Sequence, residues 1–185
     1  MKTTEEIVTE LADREAIRDL PVRYCDCVWR GDITGIVDLF TEDGLFVIRG
    51  HNRDSVTKGS EALRKMYGAG LGNLSPRPYI HNHVIELVDA GRATGRCYVE
   101  LRTAARNMEW IGTGFYHDEY AKVGDRWHFQ SRNFEPVRLD AAPDAPLPKK
   151  AKPVAKKAKP KAPLKVKAPA NKAVSRGAKG PARRR

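Results

Sequence analysis

Apolar residues Ile7, Leu11, Ile17, Leu20, Tyr24 and Val28 recur at mostly helical spacing behind Thr3 and Glu6, whose separation of three residues is that of a capping box. The pattern predicts a first helix ending near Trp29. Pro21 removes a backbone donor inside it, so a kink or two helices meeting near Leu20 is expected. Asp32 suits the cap of a short second helix through Ile36, Val37, Leu39 and Phe40, closed by Gly44, with a strand at residues 45–49. Ser60 suits the cap of a third helix carrying Leu63, Met66 and Tyr67. The segment from Gly68 to Pro78, with three glycines and two prolines, reads as loop.

From there on the chain is β-rich. Runs at Tyr79–Val88, Arg92–Arg106, Glu109–Val123 and Trp127–Val137 are separated by turn signals at Asp89-Ala90-Gly91 and Gly124-Asp125. The second run alternates, with Ala93, Gly95, Cys97, Val99 and Leu101 on one face and Thr94, Arg96, Tyr98, Glu100 and Arg102 on the other, so one face is expected to be buried. Helices first and an antiparallel meander afterwards predict an α+β fold: a cone-shaped, curved antiparallel sheet packed on N-terminal helices and enclosing a pocket. Gly112-Thr113-Gly114 sits inside a strand run without a following helix, which argues against a phosphate loop and against nucleotide-dependent chemistry.

Charge divides the chain. Residues 1–140 carry 19 Lys/Arg and 22 Asp/Glu, a net of −3, whereas residues 141–185 carry 15 and one, a net of +14. The second segment also holds eight of the twelve prolines and no aromatic residue, so it is expected to be a disordered basic Lys/Ala/Pro-rich tail following a single folded domain at 1–140. Such a tail suits non-specific binding to nucleic acid or another polyanion, because nothing in it reads a base edge. Neither a signal peptide nor a membrane span is legible, and three cysteines, Cys25, Cys27 and Cys97, do not make a disulfide framework. A cytoplasmic protein without membrane association is expected.

The segments RYCDCVWRGDITGIVDLFTEDG, KGSEALRKMY and GTGFYHDEYAKVGDRWHFQSR resemble the SnoaL-like group of the nuclear transport factor 2-like superfamily over roughly residues 5–137. That group includes polyketide cyclases, ketosteroid isomerases, scytalone-type dehydratases and bile-acid dehydratases. The resemblance implies a pocket tyrosine at Tyr24 and, at Asp118, a carboxylic acid standing beside it. It also marks gaps: Ile48 stands where the isomerases keep their general base. Trp29 stands where the dehydratases keep an aspartate, and Pro78 where they keep a histidine, with His81 and His83 displaced along the strand. The tail resembles those of linker histones and bacterial histone-like proteins.

Strand alternation places Tyr79, His81, His83, Ile85 and Leu87 on one face, so both histidines are expected side by side as candidate bases, with Tyr24 or Asp118 as the acid. Asp26, about 200° around the helix from Tyr24, is expected to face solvent. Trp29, Phe46, Ile48, Tyr116 and Tyr120 are candidate substrate-binding residues. Arg132 reads as an exposed cross-strand ion-pair partner, with orientation of an anionic substrate group as its functional alternative. No metal site is expected, because the His-x-His pair has no third ligand at a diagnostic spacing, and no cofactor is expected. The reading is a cofactor-independent isomerase, dehydratase or cyclase moving a proton on a small apolar cyclic or carbonyl compound, in a homodimer formed through the sheet. Its alternative is a non-catalytic ligand-binding or dimerisation domain that carries a nucleic-acid-binding tail.

Overall fold

The structure is a computed structural model in which residues 1–73 and 75–139 are described; the boundary expected at residue 140 and the disorder expected of residues 141–185 lie outside the described residues. Helix α1 (Thr4–Arg30) opens with the capping box: the Thr3 hydroxyl accepts from the Glu6 amide at 3.2 Å, and the Thr3 amide donates to the Glu6 carboxylate at 2.6 Å. It is one helix rather than two. Pro21 is buried within it, and Ile17, Leu20, Tyr24 and Val28 on either side are buried in the core, so packing carries the helix through the missing backbone bond. Gly31 ends it at φ 70°, a left-handed cap that glycine adopts without strain.

Asp32 caps α2 (Ile33–Asp38), its carboxylate accepting from the Gly35 amide at 2.8 Å. The helix stops before Phe40, which instead begins β1 (Phe40–Ile48), because the Leu39 carbonyl and Phe40 are engaged by Phe129 of the last strand. Four residues, Ser55–Lys58, form a short β2 that the sequence pattern did not reveal. Helix α3 (Ser60–Asn73) starts as expected but continues through Gly68, Gly70 and Gly72, where a loop was expected. Strands β3 (Pro76–Leu87), β4 (Arg92–Thr103), β5 (Glu109–Val123) and β6 (Arg126–Leu139) complete the fold, with a 3-10 turn at Ala104–Arg106.

The six strands lie in the order β2-β1-β6-β5-β4-β3. The sheet is mixed where an antiparallel one was expected: β1 runs parallel to β6, and the other neighbouring pairs are antiparallel. It curves, unclosed, over the helices, and several β-bulges interrupt its register. Two of them matter most. Between His81 and His83 the pairing with β4 shifts by one residue, with Asn82 at φ 28°; between Phe129 and Ser131 the pairing of β6 with β5 shifts likewise. Each extra residue reverses the face occupied by the side chains beyond it.

On the inner face Ala93, Cys97 and Val99 of β4 and Tyr116 and Tyr120 of β5 meet Ile17, Leu20 and Tyr24 of α1 and Leu63 and Tyr67 of α3 in one core cluster. Among the described residues no helix is long and apolar enough to cross a membrane.

Candidate functional site

The bulge at Asn82 separates the two histidines. His81 pairs with Tyr98 on the outer face and is exposed, whereas His83 pairs with Cys97 and points inward, so the expectation that they share a face is corrected. The bulge in β6 has the larger consequence. Simple alternation from Trp127 and Phe129 puts Arg132 outside; the extra residue turns it inward, and it is 0 % exposed.

These inward residues form one connected chain. His83 Nε2 lies 3.0 Å from the Tyr120 hydroxyl, which donates to Asp118 Oδ2 at 3.1 Å, and Asp118 Oδ1 lies 3.7 Å from Arg132 Nε. That last separation is an ion pair without a hydrogen bond. Because the Tyr120 proton is committed to Asp118, the Tyr120 oxygen accepts from His83, which assigns the proton of His83 to Nε2 and leaves Nδ1 as a bare acceptor. The guanidinium of Arg132 is flanked by aromatic rings, with Tyr116, Tyr24 and Phe129 centroids at 3.8, 4.2 and 4.6 Å, and its Nη2 donates to Cys97 Sγ at 3.6 Å.

Native interiors rarely leave polar atoms without partners. Among the described residues the buried side-chain atoms lacking a hydrogen bond are His83 Nδ1, Asp118 Oδ1, Arg132 Nε, Arg132 Nη1 and, elsewhere, Arg106 Nε. Four of these five lie on the one chain.

Burial and the neighbouring Arg132 and Arg18 charges bring His83 down to about 4, so it is neutral in ordinary buffers. Burial pushes Asp118 up to about 6, against the opposing pull of Arg132 and the Tyr120 hydrogen bond. The two act on stability in opposite senses. Asp118 costs stability as pH rises from its ordinary 3.8 through 6, and His83 costs stability as pH falls from its ordinary 6.5 through 4. Asp118→Asn removes only the first, so relative to the parent the variant is expected to gain up to about 3 kcal/mol between pH 4 and pH 7. Urea denaturation at pH 4, 5.5 and 7 measures it; a difference independent of pH would contradict this reading of Asp118.

The other sequence candidates fall around this chain. Tyr24 is buried, as is the Tyr67 hydroxyl that donates to it at 3.3 Å. The hydroxyl that donates to Asp118 is that of Tyr120, and Arg132 contacts both Asp118 and the Tyr24 ring, so the tyrosine and acid that the resemblance sets beside each other share Arg132 as a neighbour. Tyr116 and Tyr120 share the inner face with Asp118, as alternation requires. Phe46 meets Tyr67 edge to face with centroids 5.6 Å apart, and Ile48 packs half-buried against the same core. Trp29 stands at the rim, 40 % exposed, its Nε1 donating to the Pro78 carbonyl at 3.0 Å and its ring contacting Tyr79 and Arg77. Asp26 faces solvent, paired with Arg30 at 2.9 Å. On the outer face a depression of about 420 Å³ is open to solvent, with exposed Arg49, Glu86, Arg96, His117 and Glu119 in its lining.

The signature of the SnoaL-like domain matches residues 9–133, more than half of the chain. The chain belongs to the SnoaL-like family. No functionally curated protein matches it. Among solved structures this SnoaL-like chain is similar to a protein of unknown function from Mycobacterium tuberculosis, at 27% identity with 76% of this chain and 81% of that one covered and a TM-score of 0.64. It shares its fold with a hexachlorocyclohexane dehydrochlorinase of LinA type 3 from Novosphingobium barchaimii, at 20% identity, coverage of 71% and 91%, and TM-score 0.63. It also shares it with a protein provisionally assigned as a scytalone dehydratase from Novosphingobium aromaticivorans, at 20% identity, coverage of 71% and 89%, and TM-score 0.61. Two further solved structures that share its fold, at 23% and 18% identity and TM-scores of 0.59 and 0.62, are described as cystatin-like folds, the second of them as a nuclear transport factor 2-like protein.

Proposed function

We propose that this SnoaL-like domain is a cofactor-independent lyase or isomerase that moves a proton on a small, mostly apolar cyclic compound inside the cone. The observation that carries the reading is the connected set of buried polar atoms without partners. Leaving such atoms unsatisfied costs about 1–3 kcal/mol each, a cost that a bound substrate would remove. In this mechanism His83 Nδ1 takes a proton from substrate carbon. The imidazolium so formed keeps its Nε2 hydrogen bond to the Tyr120 oxygen, and the negative charge left on the substrate is stabilised by the unpartnered N–H groups of Arg132, with the Tyr24 hydroxyl as a further donor. Rings of Phe46, Tyr67 and Phe134 supply the apolar wall. The dehydrochlorinase and the provisionally assigned dehydratase among the structural neighbours are named for eliminations, which agrees with such chemistry on this fold.

The test is incubation of the full chain in D2O with a panel of small cyclic ketones, alcohols and acids, followed by NMR for deuterium entering carbon positions and for loss of water or isomerisation. A protein that binds panel members and exchanges no carbon-bound proton in any of them is a binding module and not this enzyme.

We further propose, on the charge segregation alone, that residues 141–185 bind polyanions. With about eight of the fifteen cations on duplex phosphates, log K is expected to fall with log salt at a slope of about −7, and truncation after Asp140 to abolish binding. A flat salt dependence, or DNA binding by the truncated chain, would remove the proposal.

A further inference from the structure

We propose that the cone interior takes up one small ring-bearing monocarboxylate, held by the guanidinium of Arg132, and that each molecule bound brings one proton with it. The inference deepens the proton-transfer reading by naming the class of compound that the same site receives. Arg132 is 0 % exposed, yet its Nε and Nη1 have no hydrogen-bond partner, so donor capacity is held in reserve inside the protein. Its faces are occupied by the Tyr116, Tyr24 and Phe129 rings and its Nη2 by Cys97, which leaves the Nη1 edge, with two N–H groups, for an acceptor. A carboxylate is the acceptor that suits a guanidinium edge in an apolar, aromatic surrounding.

Charge counting supplies the proton. Without ligand the interior holds Arg132 as cation and Asp118 as its counter-charge, 3.7 Å away and not hydrogen-bonded to it. A second anion would leave a buried net charge of −1, which is costly in a low-dielectric interior. Protonation of Asp118 restores neutrality. The other titratable groups of the interior do not compete: burial pushes Cys25 of α1 and Cys97 of β4 up to about 11 and 12, and the phenols of Tyr24, Tyr67, Tyr116 and Tyr120 are raised too. His83 of β3 stays neutral, with Arg18 of α1 adding to the positive field on it, and His117 acts on Asp118 from the exposed outer side of β5. Asp118, brought up to about 6 by burial, is the group placed to accept the proton as pH falls through that range.

The experiment is calorimetric titration of the full chain with benzoate, and with benzamide as the uncharged isostere, at pH 5.5 and 7.5. Benzoate is expected to bind one per chain, about tenfold or more tightly at pH 5.5, with one proton taken up at pH 7.5 as read from buffers of different ionisation heat. Benzamide is expected not to bind. Asp118→Asn, which frees Arg132 from its counter-charge, is expected to bind benzoate at pH 7.5 at least as tightly as the parent does at pH 5.5, without proton uptake; Arg132→Met is expected to lose binding. The basic tail is present in every variant, so it cancels. Should Arg132→Met fail to fold, the Asp118→Asn titration decides. Equal binding of benzamide, no saturable benzoate binding at pH 5.5, or Asp118→Asn binding no tighter than the parent at pH 7.5 would overturn the proposal. Loss of benzoate binding with His83-dependent turnover intact would remove only the carboxylate, and benzoate binding beside His83-independent turnover would remove only the catalytic reading.

Discussion

Replacement of His83 by alanine is expected to lower turnover of the true substrate about 10²- to 10⁴-fold, the usual contribution of a positioned general base, while His81→Ala leaves it unchanged. The two histidines are two residues apart and differ in everything that matters for the chemistry. His83 is inward, bonded through Nε2 to Tyr120 and bare at Nδ1; His81 is on the outer face and exposed. With its value near 4, His83 is unprotonated across the neutral range, so the loss in His83→Ala should be similar at pH 7 and pH 8.5. Initial rates for both variants over that range make the comparison. Loss of turnover in His81→Ala with His83→Ala unaffected would place the chemistry on the other side of the sheet.

Gly95→Ala is the second substitution with a large expected effect, and it adds a single methyl group. A Cβ at position 95 would stand 2.8 Å from Tyr120 Cε2, 2.9 Å from its hydroxyl oxygen and 3.0 Å from His83 Nε2. It would drive into the hydrogen bond that fixes the tautomer of His83. Tyr120 is hydrogen-bonded to Asp118, tilted against Phe129 and 2 % exposed, so it has no free direction in which to give way. Overpacking of this kind costs about 1–3 kcal/mol of stability. The parting of Tyr120 from His83 should also lower turnover about 10²-fold, in kcat more than in KM, because the imidazolium support acts after binding. A stable Gly95→Ala protein with unchanged kcat would show that the Tyr120–His83 bond has no part in the chemistry.

The elements themselves were largely legible. Capping at Thr3 and Asp32, the alternation of β4 and the turns at Gly91 and Gly124 are local signals, and each stands where the pattern placed it. The site was legible only in part, since Tyr116, Asp118 and Tyr120 obey an uninterrupted alternation while His81, His83 and Arg132 do not. A bulge is one residue that leaves the pairing without altering composition, so a period-two count carried across Asn82 or Gln130 assigns the wrong face to every residue beyond it. The signal for Arg132 was present one step later: Phe134 is apolar and two residues on, in phase with a buried Arg132 and out of phase with Trp127 and Phe129. The parallel pairing of β1 depends on its tertiary partner β6 and leaves no local trace, and the continuation of α3 past Gly68 runs against the local glycine signal.

The passage of α3 through Gly68, Gly70 and Gly72 sets how firmly the second half of that helix holds. A Cβ at position 70 would meet nothing within 4 Å, and one at position 68 would only touch Ile33 at 3.8 Å, so neither glycine is required by packing. Each lowers helix stability by about 1 kcal/mol relative to alanine. The first half of the helix is held by buried Leu63 and Tyr67, while its second half has little intrinsic helical strength of its own. Local opening there costs less free energy than opening α1, and amide protons after Tyr67 should exchange with solvent long before those around Ile17. The helix is thus fastened at its start and loosely held at its end.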